Sequence, residues 1–123
     1  MKITGFRPMI VTKDAESAIK VFEGLGFERR HTKKDIEGGQ NTNFTMKDAN
    51  GNSIHIASSK RVDMTAISIN VDNFQEAYDF FIAHGFVNPR GEKNTETGSS
   101  KDTMLIAPSG FAVVISEHLK NRD

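Results

Sequence analysis

The chain has 123 residues, enough for one domain with a buried core. Its 16 basic residues balance 16 acidic ones, whereas nucleic-acid binders carry a basic excess, so no nucleic-acid partner is expected. There is no cysteine, which excludes a disulfide framework, a thiolate metal site and a cysteine nucleophile, and no apolar run approaches a signal peptide or a membrane span. A cytoplasmic protein with no membrane partner is the expectation.

The first strand is expected over 5–12, with Pro8 inside it. Proline donates no backbone hydrogen bond, so this strand should lie at a sheet edge or carry a bulge. A helix follows over 14–24, with Asp14 as N-cap and Ala15, Ala18, Ile19 and Phe22 as its apolar stripe. Strands at 27–34 and 41–48 come next. The run "ERRHTKKD", Glu28 to Asp35, gives the former a charged, solvated edge whose lysines discourage pairing with other sheets. "DANGNSIHIAS", Asp48 to Ser58, is a turn leading into a strand over 52–58. Ile54 and Ile56 fall on one face of it, and Ser53, His55 and Ala57 on the other. After the linker "SKRVD", Ser59 to Asp63, come a strand at 64–71, a helix at 73–84 and strands at 86–91, 101–107 and 111–117. The second helix has Asn73 as N-cap and the stripe Phe74, Ala77, Tyr78 and Phe81. The polar stretch "GEKNTETGSSKD", Gly91 to Asp102, reads as a plain surface hairpin or as a mobile loop over a cleft, and the final "LKNRD" as a solvated tail.

The two halves are copies. "DAESAIKVFEGLGF", Asp14 to Phe27, and "NFQEAYDFFIAHGF", Asn73 to Phe86, stand 59 residues apart and share Ala18/Ala77, Phe22/Phe81 and Gly26-Phe27/Gly85-Phe86. The same offset joins Gly51 to Gly110, each before an apolar strand, and "FRPMIVT" to "TAISINV". One offset linking strand, helix and turn marks an internal repeat. The reading is a single α+β domain over 1–123, built from strand-helix-strand-strand-strand units at 1–60 and 61–123.

Taken together, the strand entering "TKDAESAIKVFEGLGF", the turn "DANGNSIHIA" and the second copies "VDNFQEAYDFFIAHGF" and "APSGFAVVIS" resemble the vicinal-oxygen-chelate superfamily. Its members include glyoxalase I, extradiol dioxygenases, and fosfomycin- and bleomycin-resistance proteins. The resemblance covers nearly the whole chain. It implies a βαβββ unit used twice, with curled mixed sheets around a ligand cleft, and a homodimer. The metal enzymes of that family place ligands seven residues before the helix cap and four after the turn glycine of each repeat. Carried onto this sequence, those positions hold Arg7, His55, Ala66 and Val114. One histidine does not hold a catalytic metal, which needs about three protein ligands, so no metal and no cofactor are expected.

Strand alternation assigns Arg7, Met9 and Val11, then Ser53, His55 and Ala57, to the cleft in the first repeat. Ala66, Ser68 and Asn70, then Ala112, Val114 and Ser116, take those places in the second. The candidate ligand-binding set is Arg7, Met9, Ser53, His55, Ser68, Asn70 and Val114. Such a mixture of small, apolar and hydrogen-bonding groups suits a small organic ligand. Arg7 suits a carboxylate or phosphate, and His55 suits a hydrogen bond or a proton transfer.

Three functional readings follow. The first is a metal-free binder similar to the bleomycin-resistance branch, taking a neutral or anionic ligand rather than cationic bleomycin. The second is a lyase, isomerase or dioxygenase-type enzyme with an atypical site, His55 its catalytic base. The third is an interaction module with a vestigial cleft. No Gly-rich phosphate loop, nucleophile elbow or H-E-x-x-H pattern is present.

Overall fold

A computed structural model describes residues 1–36, 41–91, 95–96 and 100–118. The tail 119–123 and parts of the polar 91–102 stretch lie outside the described residues. The elements run β1 (Ile3–Thr12), α1 (Ala15–Gly24), β2 (Glu28–Ile36), β3 (Asn41–Lys47), β4 (Ser53–Ser58), β5 (Met64–Val71), α2 (Phe74–Ala83), β6 (Thr95–Glu96), β7 (Ser100–Ile106) and β8 (Ala112–His118). The expected strand-helix-strand-strand-strand order is therefore present twice. The chain divides into two compact units, Arg7–Ala66 and Met1–Phe6 with Ile67–Asp123. No helix among the described residues is long and apolar enough to cross a membrane.

In the first unit, Arg7–Ala66, the Asp14 carboxylate accepts a hydrogen bond from the Ser17 amide at 3.1 Å and starts α1. The helix lays its apolar stripe on the sheet. Ile19 is fully buried in a cluster with Phe44, Met46, Ile54 and Ile56, and Ile10, Ala15, Ala18, Phe22 and Phe27 pack around it. The strand order is β2-β3-β4-β1. β1 runs parallel to β4, with Met9 opposite His55 and Thr12 opposite Ser58. Pro8 precedes this ladder and has no N–H to lose in it. β3 and β4 form an antiparallel hairpin. Its turn is tied by Asp48, whose carboxylate accepts from the Asn50 and Asn52 amides and the Asn52 side chain at 2.7–2.9 Å. Those bonds, the Asn52 side chain first, hold the Asp48 carboxyl below its ordinary pKa. Asp63 anchors the linker to the end of β1 by accepting from the Lys13 amide at 2.8 Å and the Thr12 hydroxyl at 2.9 Å. The same bonds, the amide first, lower its pKa.

In the second unit the Asn73 side chain accepts from the Glu76 amide, and the Phe74 amide donates to the Glu117 carboxylate of β8 at 2.7 Å. A carboxylate at a helix N-terminus is favourable. The order is β1-β5-β8-β7-β6, with β1 contributing Ile3–Phe6. Ile69, Val71, Phe74, Ala77, Leu105, Val113 and Ile115 form the core, with Ile67, Tyr78, Phe81 and Phe86 against it.

The strand expected at 86–91 is corrected. Only Val87 pairs, in an isolated bridge to Ile106. Asn88 then accepts from the Arg90 amide through its side chain and from the Gly91 amide through its carbonyl. Asn88-Pro89-Arg90-Gly91 has the residue choices of a β-turn: Asn first, Pro second and Gly fourth. Thr95–Glu96 pairs antiparallel with β7 here, opposite Asp102 and Lys101, inside the stretch read as a surface hairpin or loop.

The repeat supplies an internal control. Gly26 and Gly85, equivalent by the 59-residue offset, both have positive φ, 102° and 90°. A Cβ at Gly26 meets nothing within 4 Å, whereas one at Gly85 lies 3.0 Å from Pro108 Cγ. Gly26→Ala is expected to cost about 1–2 kcal/mol of stability through backbone strain alone. Gly85→Ala should cost about 1 kcal/mol more, from overpacking against the proline ring. Urea unfolding of both variants measures the difference, and equal losses would exclude a contribution from Pro108.

Candidate functional site

In the first unit, α1 covers the face of the sheet that carries Ile10, Ile54 and Ile56. Period-two alternation puts the neighbouring residues on the opposite face, and the register arranges them in rows across β3, β4 and β1. Thr45, His55 and Met9 make one row, since His55 pairs with both of the others. Asn43, Ala57 and Val11 make the next. Two residues in the other direction, Lys47 pairs with Ser53, and Arg7 stands two residues before Met9 as Ser53 does before His55. Arg7, Met9, Ser53 and His55, four of the expected site residues, thus share one face.

The polar atoms of this face are unusual. Arg7 Nε and Ser53 Oγ are both buried, and neither makes a hydrogen bond among the described residues. Such an atom costs about 1–3 kcal/mol of desolvation that folding does not recover. His55 is half-buried between Met9, which is 9% exposed, and the half-buried Thr45.

Ser68, Asn70 and Val114 belong to the second unit. They alternate with the core residues Ile67, Ile69, Val113 and Ile115, so they occupy the sheet face away from α2. Ser68 is buried, and Asn70 and Val114 are half-buried. The second unit also has a cavity of about 420 Å3 lined by Tyr78, Ile82, Phe86, Val87, Asn88 and Gly91. Its amide is already engaged, because Asn88 Nδ2 reaches the Tyr78 and Thr103 hydroxyls at 3.3 Å. That concavity offers apolar surface and no spare anchor, so the orphaned donors of the first unit are the stronger site.

Sequence reasoning missed Lys47 and Thr45. A lysine closing a strand reads as a solvated end. The available signal was the hairpin itself, since the tight 48–52 turn fixes the register that sets Lys47 opposite Ser53.

The four positions that the resemblance assigns to metal ligands do not suit one. A guanidinium stays protonated, and alanine and valine carry no donor atom. Arg7, Ala66 and Val114 therefore leave only His55, and among the described residues no group of three or more His, Cys, Asp or Glu comes together.

No family model and no curated protein matches the sequence. Solved structures do match. Methylmalonyl-CoA epimerase from Mycobacterium tuberculosis superposes with a TM-score of 0.67 at 13% identity, over 96% of this chain and 90% of that one. A glyoxalase/bleomycin resistance protein/dioxygenase superfamily member from Vibrio splendidus 12B01 gives 0.61 at 13%, over 94% and 99%. Glyoxalase I from Zea mays gives 0.64 at 16%, over 98% of this chain but 44% of that one, so the chain spans under half of the maize protein. At these identities the likeness is one of fold. The chain therefore has the α+β vicinal-oxygen-chelate fold that its repeat and its turns led one to expect.

Proposed function

We propose that the chain is a metal-free small-molecule-binding protein that takes a neutral or anionic organic ligand on the first unit's Arg7–Ser53–His55 face. The observation that carries this reading is the pair of buried, unpartnered donors, Arg7 Nε and Ser53 Oγ. A ligand acceptor placed there removes a standing desolvation cost, while Met9, Val11 and Ala57 on the same face supply apolar contact. The exposed Ile3 and Phe6 of β1 support the homodimer that belongs to the reading, and the cysteine-free composition suits a cytoplasmic setting.

Isothermal titration of chelator-treated protein against a panel of small neutral and anionic compounds tests it. Saturable binding by at least one compound is expected, unchanged after loading with zinc, nickel, manganese or ferrous iron. Absence of binding across the panel, or binding only after metal loading, overturns the reading. An enzymatic alternative, a lyase or isomerase with His55 moving a proton, draws support from His55 lying on the same face as the Arg7 cation. It requires turnover that His55→Ala abolishes.

A further inference from the structure

We infer that the ligand is a small organic acid, its carboxylate anchored by the row Lys47–Ser53–Arg7. This rests on the small-molecule-binding reading above and commits it to one head group. The row crosses three adjacent strands, about 4.8 Å apart. Lys47 pairs with Ser53 on one side, and the β1–β4 ladder that begins at Met9 and His55, carried two residues back, sets Arg7 on the other. Neither cation forms an ion pair among the described residues, although Arg29, Arg30 and Lys13 in the same unit all do. Two cations about 10 Å apart across one strand both attract an anion placed between them.

The donor set selects the shape of that anion. Arg7 Nε with its neighbouring Nη offers two parallel N–H groups, which match the two oxygens of a planar carboxylate. Ser53 Oγ–H and the Lys47 ammonium add two further donors, close to the roughly four lone-pair sites of a carboxylate. A phosphate group, with three terminal oxygens, presents more lone-pair sites than these four donors fill. The body of the acid is constrained as well. The next row lies about 7 Å along the strands and holds Thr45, His55 and Met9. The row beyond it, Asn43, Ala57 and Val11, is more apolar. An acid with a second hydrogen-bonding group about 7 Å from its carboxylate fits both rows.

The test is isothermal titration with matched acid and primary-amide pairs: benzoate, 4-hydroxybenzoate, hexanoate and 2-oxohexanoate, each against its amide. Phenylphosphonate is added as the tetrahedral anion. The acids are expected to bind at least about tenfold tighter than their amides, the worth of one charge-assisted hydrogen bond. Lys47→Gln and Ser53→Ala should each shrink that preference several-fold without lowering the thermal midpoint. Amides that bind as well as acids overturn the carboxylate assignment and leave the binding reading standing. Phenylphosphonate binding tighter than benzoate overturns the assignment too, in favour of a phosphate. Failure of every acid and amide here, together with the wider panel, removes the binding reading and the inference with it.

Discussion

Arg7→Met is expected to weaken carboxylate binding about a hundredfold while leaving the folded chain as stable as before, or more so. The two effects have one cause. Arg7 Nε is buried and makes no hydrogen bond among the described residues, so in the absence of ligand it is desolvated without compensation. Methionine keeps the length and the apolar stem of arginine, discards the guanidinium and removes that cost. Binding suffers because hydrogen bonds to charged groups are worth about 1.5–3 kcal/mol each, and the side-on arginine contact supplies two. Arg7→Lys should not rescue it: an ammonium keeps the charge but cannot present two parallel N–H groups. Isothermal titration with 4-hydroxybenzoate and a thermal scan of each variant measure both quantities. Destabilisation by Arg7→Met beyond about 1 kcal/mol would mean that the guanidinium serves folding, since surface changes rarely exceed half that.

Much of this molecule was legible from residue spacing. A single 59-residue offset placed both helices, both helix caps and the strands after the Gly51 and Gly110 turns. The structure seats Ile19, Phe22, Ala77 and Phe81 in the cores those stripes implied. Helix faces and central strands are readable because burial imposes a period on them. The 86–91 segment failed for the opposite reason. Phe86 and Val87 are apolar, but Pro89 and Gly91 belong to turn chemistry, and Val87 alone keeps a bridge. A short apolar pair at the end of a helix carries no period that separates strand from turn. The site was half legible. Alternation on β1 and β4 put Arg7, Met9, Ser53 and His55 on one shared face, because local geometry fixes alternation. Lys47 was invisible to that reasoning, since its place depends on pairing between strands.

Stability and recognition should separate in a second substitution. Ile56 lies between His55 and Ala57 on β4, is fully buried, and pairs with Ile10 and Phe44 above Ile19. Ile56→Ala is expected to cost about 3–4 kcal/mol, from the lost transfer energy of the side chain and the cavity left under α1. Ile115 stands 59 residues on, is equally buried and packs in the other core, so Ile115→Ala should cost a similar amount. Denaturant unfolding gives both values. The informative comparison is with Arg7→Met. The Ile56 side chain points away from the Lys47–Ser53–Arg7 row, so Ile56→Ala should still prefer 4-hydroxybenzoate over its amide at temperatures well below its lowered midpoint. Arg7→Met should lose that preference at full stability. If Ile56→Ala instead erased the preference while the chain remained folded, recognition would depend on the packing beneath β4 rather than on the donors above it. The row would then be a consequence of the sheet and not a site built on it.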